Sequence, residues 1–322
     1  MNMNYKNIFL KVVVFLCVVS ISFGQDYKDI FISIGTGPID GVFYPAGTAI
    51  SEIIKKIGYN SSACSTAGSG ENIDLIIDKK IEMAIAMSDT VYQAYYGVGA
   101  YKGKGPIKNL NCITGLHPNY TQIVTLRDSN VKTFKDLKGK RIGIGIYNSG
   151  VELNARLLYE AHDMKYSDSE IIYGTPGELI EQLKNHILDA IFLTNTVPTD
   201  IIYNLSLEMP INFVAIEDEG IEKLREKWPF FFREKITKED YNIEKDVQTV
   251  AVQNLLLVDR NLPEGIVYDI TKAFFENIEE VRCSNLGIRR NVFLENYNKN
   301  VDIPFHKGAL KYYKDKGIIQ KK

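Results

Sequence analysis

The sequence predicts an α/β protein of two lobes, each a β-sheet flanked by helices, the two joined by crossover strands. Three observations carry this reading. The run Ile32-Ser33-Ile34-Gly35-Thr36-Gly37-Pro38-Ile39-Asp40-Gly41-Val42-Phe43-Tyr44-Pro45 is a short apolar strand, a glycine-rich polar loop and the start of a helix at or near Pro45. A second unit of the same form follows at Arg141-Ile142-Gly143-Ile144-Gly145-Ile146-Tyr147-Asn148-Ser149-Gly150. The third is a partial repeat, in which Ile73 aligns with Leu179, Ile77 with Leu183, Ile81 with Ile187 and Ser88 with Thr194, all at one offset. Gly35 with Gly143 and Gly37 with Gly145 recur at nearly that offset. Common α/β patterning supplies one such match by chance; two in the same order favour a pair of similar lobes.

The elements follow in chain order. Ala46, Ala49, Ile50, Ile53, Ile54 and Ile57 fall at helical spacing after Pro45, and Gly58 is placed to end that helix. A strand at Ser62–Ser65 leads into Thr66-Ala67-Gly68-Ser69-Gly70, then a helix through Ile73, Ile76 and Ile77, then a buried strand at Ile81–Met87 ending at Ser88-Asp89. Cys112–Leu116 and Gln122–Arg127 read as two strands, the latter a crossover into the second lobe. Val247–Asp259, with two apolar runs, is the second crossover. The remaining chain reads as helical, with Pro263 placed like a first-turn proline and Ile266, Ile270, Phe274 and Ile278 forming a core stripe. No linker rich in Pro, Gly or Ser interrupts the chain, which sets the expected lobes at about 25–124 with 252–322, and 125–251. Ligands of open α/β sheets sit beyond the carboxyl ends of the strands, so these loops are expected to converge on a cleft.

Residues 1–24 read as a secretory signal: Lys6 and Lys11, the apolar run Val12–Val19, then the small-residue region Ser20–Gly24. The apolar core is well short of the roughly 20 residues that span a bilayer. Phe15-Leu16 lacks the small residue that lipidation of Cys17 prefers. The chain is therefore expected to be soluble and periplasmic. Its 38 basic and 40 acidic side chains give a net charge of −2, or −4 without the two signal lysines. This mild acidity, without a basic cluster, argues against nucleic acid. Beyond the signal, Cys64, Cys112 and Cys283 permit at most one intramolecular disulfide. Buried, structurally minor cysteines are the favoured reading, with Cys64–Cys112 the pairing to test. No Cys/His spacing points to a metal, and no cofactor is expected.

The loops offer Thr36, Gly37, Asp40 and Tyr44, then Thr66, Ser69, Ser88 and Asp89, and in the second lobe Tyr147, Asn148, Ser149, Gly150 and Thr194. Hydroxyls, amides and backbone N–H groups at helix N-termini suit a carboxylate or phosphate held by neutral donors. The bland alternative is helix capping, which uses the same residues and stabilises by about 1 kcal/mol each. A dinucleotide site is disfavoured, because Gly35, Gly37 and Gly41 are spaced one residue too long and the acidic residue of a second strand is missing. Ser88-Asp89 lacks a nucleophile elbow. His117 could line the cleft, while His162 and His186 lie in helical stretches and read as solvated.

Taken together, several motifs resemble the TAXI-type solute-binding proteins, extracytoplasmic receptors of tripartite ATP-independent periplasmic (TRAP) transporters. They include Gly35-Thr36-Gly37 with Val42-Phe43-Tyr44-Pro45-Ala46-Gly47, Ser65-Thr66-Ala67-Gly68-Ser69, Ser88-Asp89-Thr90, Leu116-His117-Pro118, Asn148-Ser149-Gly150 and Pro304-Phe305-His306-Lys307-Gly308. The resemblance implies a two-lobed periplasmic-binding-protein fold of type II form that closes on a ligand. It further implies delivery to a TRAP permease driven by an ion gradient, with glutamate, glutamine or a related carboxylate as the solute. It places ligand contacts at Thr36, Gly37, Tyr44, Ser69, Ser88, Asn148, Ser149 and Gly150, with Thr194 added from the loop reading. Val151 and the run Thr196-Val197-Pro198 depart from the usual pattern, where the second lobe should meet the ligand. The expectation is a monomeric, non-enzymatic receptor. The alternatives are a receptor for an ATP-driven importer or a sensor, a periplasmic hydrolase using His117 or Ser88, and a surface module with a vestigial cleft.

Overall fold

The computed structural model describes residues 30–319, so the expected signal segment and Cys17 lie outside the described residues. Its strands are β1 (Phe31–Gly35), β2 (Asn60–Cys64), β3 (Met83–Met87), β4 (Leu110–Leu126), β5 (Arg141–Ile144), β6 (Glu170–Tyr173), β7 (Ala190–Asn195), β8 (Ile211–Phe213), β9 (Phe232–Ile236) and β10 (Val247–Asp259). Its α-helices are α1 (Phe43–Lys56), α2 (Ser69–Ile77), α3 (Ser88–Tyr96), α4 (Gly150–Ala161), α5 (Pro176–Lys184), α6 (Asp200–Glu208), α7 (Asp218–Lys227), α8 (Lys238–Tyr241), α9 (Glu264–Glu276), α10 (Ile278–Arg282), α11 (Leu286–Asn291) and α12 (Lys307–Asp315).

The strands join in the order β2-β1-β3-β10-β4-β7-β5-β6, with β8 on β4 and β9 on β10. Three parallel strands therefore stand at each end, and the antiparallel pair β4 and β10 runs through the middle. β3 ends at Met87 opposite Asn254 of β10, whereas β7 ends at Asn195 opposite Tyr120 of β4. The carboxyl ends of the two parallel sets consequently point at each other across the centre of β4 and β10. That register, rather than any single loop, creates the cleft.

The apolar pattern explains the layers. Ile50, Ile53 and Ile54 of α1 pack with Ile266, Ile270 and Phe274 of α9 and with Tyr313 of α12 on one face of the first half. Ile73 and Ile76 of α2 and Val91 of α3 cover the opposite face with Leu255 and Leu257. In the second half, Leu158, Phe134 and Phe231 fill one face, and Leu179, Leu183 and Tyr241 the other. The repeat between α2–β3 and α5–β7 holds at Ile73 with Leu179 and at Ser88 with Thr194, all buried, but fails between them: Ile81 is buried and Ile187 is 52% exposed, its place taken by buried Leu188.

Several expectations are corrected. The two strands expected around 112–127 are one strand of 17 residues, β4. Within it Pro118 pairs with Gln253, and β10 absorbs the irregularity by a register shift between Gln253 and Leu255. Pro263 precedes the first turn of α9 as its cap residue rather than lying within it. His162, expected to be solvated, is buried and stacks on Phe134 at 3.9 Å between ring centroids, its Nδ1 2.8 Å from the Leu158 carbonyl. Cys64, Cys112 and Cys283 are free thiols, and of the three only Cys112 is buried; Cys64 is half-buried and Cys283 exposed. β2 and β4 are separated by β1, β3 and β10. Four strand spacings of about 4.8 Å put Cys64 and Cys112 far beyond the roughly 7 Å that a disulfide spans.

Candidate functional site

Where the two sets of strand ends meet, the loops after them carry helix N-termini into the gap. Gly68 and Ser69 begin α2, Ser149 and Gly150 begin α4, and Val42 and Phe43 begin α1. The first N–H groups of a helix have no intrahelical acceptor and lie at the positive end of its dipole. Ser149 accepts from the N–H of Glu152 at 3.2 Å, and Ser69 accepts from the N–H of Met87 at 3.0 Å. Each hydroxyl oxygen is thus engaged as an acceptor, which leaves its O–H to donate into the gap.

The gap is a cavity of about 70 Å³. It is lined from the first half by Gly37, Phe43, Ser69 and Met87, and from the second by Ser149, Gly150, Val151, Leu193, Thr194 and Asn195, with Asn119 of β4 as its floor. No Asp, Glu, Lys, Arg or His is among the lining residues. Asn119 is buried; its amide donates to the Thr194 carbonyl at 3.3 Å while its Oδ1 has no partner among the described residues.

The two halves touch around this cavity. Asn148 donates to Asp74 of α2 at 3.3 Å, and Asp40 accepts from the N–H of Gly177, in the first turn of α5, at 2.7 Å. Gly70 and Gly150 permit the approach: a Cβ on Gly70 would overlap the carbonyl oxygen of Asn148, and one on Gly150 would overlap Met87 and stand 2.6 Å from the Ser69 hydroxyl. The rings of Tyr92 and Phe230 meet across the same seam at 5.2 Å, beside Trp228. The halves are closed.

Of the residues singled out in the sequence, Gly37, Ser69, Ser149, Gly150 and Thr194 come together at the cavity. The others are not in its lining. Thr36 is wholly buried in the base of its loop, where its hydroxyl donates to the Cys64 carbonyl at 2.6 Å and its carbonyl accepts from Asn72 at 2.6 Å. Tyr44 lies in the first turn of α1, outside the lining. Ser88 is buried and accepts from the N–H of Gln253 at 3.2 Å. Asn148 and Tyr147 face a wider neighbouring groove of about 1130 Å³, bordered also by Asp74, Tyr92, Arg156 and Trp228. Phe43, Met87, Asn119, Val151 and Asn195 line the cavity although the sequence does not single them out as ligand contacts.

His117 is also wholly buried, and both of its ring nitrogens lack a partner among the described residues. Burial pushes its pKa down to about 3, so it is neutral at any physiological pH. No hydrogen bond joins it to Ser88 among the described residues, which leaves the hydrolytic alternative without a nucleophile–base pair. Asp89, at the start of α3, is buried with no cation beside it among the described residues; desolvation raises its pKa to about 7, partly offset by the Thr90 N–H and by Asn154 of α4. No group of three or more His, Cys, Asp or Glu that could hold a metal exists among the described residues, and no described helix is long and apolar enough to cross a membrane.

The described residues form a mixed α/β fold, a central sheet flanked by helices and split into two halves that meet around a small, mostly apolar cavity. The chain belongs to the NMT1-like family, whose model matches residues 34–317. Among solved structures it is similar to a protein of Bordetella bronchiseptica RB50, at 16% identity over 89% of this chain and 83% of that one, with a TM-score of 0.50. Lower scores relate it to the periplasmic aliphatic sulphonate binding protein SsuA of Escherichia coli (13% identity, 88% and 82% covered, TM-score 0.43). The GluR0 ligand-binding core of Nostoc punctiforme in complex with L-glutamate is comparable (13% identity, 79% and 97% covered, TM-score 0.45). At these identities the likeness concerns the fold alone.

Proposed function

We propose that this protein is a periplasmic, monomeric solute receptor that captures a small carboxylate between its halves, leaves it chemically unchanged and passes it to the permease of a TRAP transporter. The observation that carries the receptor reading is the cavity itself, faced from opposite halves by the N-termini of α2 and α4 and free of charged side chains. An anion there is neutralised by helix dipoles and by donors that approach from both sides, so binding and closure are one event. The carboxylate pairs with the hydroxyls of Ser69 and Ser149; Gly37, Gly150 and Thr194 shape the walls. The TAXI-like motifs of the sequence support the TRAP permease as the membrane partner, and the glutamate-type acids they imply are the first solutes to test. Lobes bounded near 124 and 252 would hinge on β4 and β10.

Trp228 is the only tryptophan of the chain and borders the seam between the halves, so its fluorescence reports closure. Titration of the purified receptor with organic acids is expected to shift Trp228 emission and to shrink the radius of gyration. A protein whose emission and dimensions respond to no acid contradicts the reading. Ser149→Ala is expected to weaken binding by roughly 1–3 kcal/mol, the range for a hydrogen bond to a charged group. Unchanged affinity would remove Ser149 from the site. Asp40→Ala is expected to weaken closure by about 0.5–1 kcal/mol, because the carboxylate caps the positive end of α5 from across the cleft. A solute dissociation rate equal to that of the wild type would show that this contact does not hold the halves together.

A further inference from the structure

We infer that Asn154 is the positioning residue of this site: it clamps the cavity-facing end of α4 to the strands behind it and takes the Thr194 hydroxyl away from the solute. This rests on the receptor reading above and deepens it. Asn154 follows Gly150 by four residues, so the two share a face of α4 one turn apart. Gly150 is in the cavity lining, whereas Asn154 is not and is wholly buried. Asparagine is a weaker helix former than alanine, and burying its amide is costly unless it is hydrogen-bonded. Its place in the helix therefore calls for partners.

Two threonines supply them. The Thr121 hydroxyl of β4 donates to Asn154 Oδ1 at 3.1 Å, and the Thr194 hydroxyl of β7 donates to the same atom at 3.2 Å. Thr121 and Thr194 are buried and stand directly opposite each other in the β4–β7 ladder, which puts their side chains on one face of the sheet. The Thr121 carbonyl in turn accepts from the Thr249 hydroxyl of β10 at 2.6 Å. One amide oxygen thus ties α4 to β7 and β4, with β10 joined at the same point.

Two consequences follow for the site. The effect of a helix dipole on an anion falls off within the first turn, so the placement of that turn sets what α4 can contribute. Asn154 fixes the placement one turn below Gly150. The second consequence concerns proton count. A hydroxyl carries one proton, and a carboxylate offers only acceptors. Thr194 spends its proton on Asn154, so this residue meets the solute as wall and not as donor. Ser69 and Ser149 differ, because each accepts a backbone N–H and keeps its proton for the cavity.

The test uses Asn154→Leu, Thr121→Val, Thr194→Val and the double variant Asn154→Leu with Thr194→Val. Hydrogen exchange of the unliganded protein reads the clamp. In Asn154→Leu the amides of residues 153–158 are expected to exchange about tenfold faster, while those of residues 73–77 in α2 keep their rates. Unchanged exchange in α4, or equal acceleration in both helices, overturns the clamp. Calorimetric titration with L-glutamate, or with whichever organic acid shifts Trp228 emission further, reads the hydroxyl. Thr194→Val and Thr121→Val, the latter outside the cavity lining, are each expected to weaken binding about threefold, and Asn154→Leu about tenfold. Adding Thr194→Val to Asn154→Leu is expected to change affinity by less than about twofold, because the acceptor of that hydroxyl is already gone. A further loss of about threefold or more in the double variant makes Thr194 a solute donor and overturns the assignment. Should Asn154→Leu not fold, Thr121→Val still decides, since wild-type affinity there overturns the positioning role. No heat from any acid, with a Trp228 emission that none of them shifts, overturns the receptor reading itself; the exchange experiment needs no solute, which keeps the two failures apart.

Discussion

Gly70→Ala is expected to lower solute affinity by about 100-fold while leaving the unliganded protein at least as stable as the wild type. The three atoms nearest to an added Cβ all belong to Asn148, on the opposite side of the cleft, and the closest is a backbone carbonyl oxygen. A flexible side chain could swing away; a backbone carbonyl in the loop before α4 moves only with its half. Overpacking of this kind costs about 1–3 kcal/mol, and the apparent affinity falls in proportion to the closed population that is lost. Within α2 itself, alanine is the better helix former by about 1 kcal/mol, so the unliganded state does not suffer. Calorimetric titration and thermal unfolding of the two proteins separate these effects. Wild-type affinity in Gly70→Ala would mean that the halves do not need to meet for binding.

The second large effect concerns Asp89→Asn, which is expected to stabilise the protein by about 2–4 kcal/mol at pH 8 and by almost nothing near pH 4. Asp89 is completely buried, and desolvation raises its pKa from 3.8 to about 7. A carboxyl whose folded pKa lies above its unfolded one is bound to its proton more tightly in the folded state. Unfolding free energy then falls as pH rises through the window between 3.8 and about 7, and the full penalty persists above it. Ionising the buried carboxyl at high pH therefore costs about 4 kcal/mol, an upper figure because the interior relaxes around the charge. Asparagine has the same shape and no charge, so the variant should lack this slope. Denaturant unfolding of both proteins at mildly acidic and mildly alkaline pH gives the result; a difference that does not grow with pH would show that Asp89 is already balanced.

These residues also show what is and is not legible in the sequence. The strand–loop–helix units at Ile32–Pro45 and Arg141–Gly150 are legible because alternating apolar residues, glycines and a following helical stripe act over short distances. Val247–Asp259 reads with the bounds of β10 because its apolar run is continuous and uninterrupted by proline. β4 does not, since Pro118 breaks the local pattern and only the ladder to β10 restores it. Ser69, Ser149 and Gly150 are found because they begin helices that face the cleft. Thr36, Tyr44 and Ser88 belong to the same kind of loop and carry the same chemistry. The direction of Thr36 and Ser88 is set by partners distant in sequence, Cys64 for the one and Gln253 for the other. Asn119 has no local signal at all. It reaches the cavity wall only because β4 and β7 pair in the register that sets Tyr120 against Asn195. His162 reads as solvated because it sits at the polar end of α4, whereas its ring partner Phe134 is distant in the chain.

If one carboxylate is held between the N-termini of α2 and α4, a crystal structure of the receptor grown with the tightest-binding acid shows it there. The acid is expected between the Ser69 and Ser149 hydroxyls, with its carboxylate on both helix ends and the halves in contact at Gly70 and Asn148. Density for the acid at another place on the molecule, with the cavity between these serines empty or filled by side chains, would contradict it.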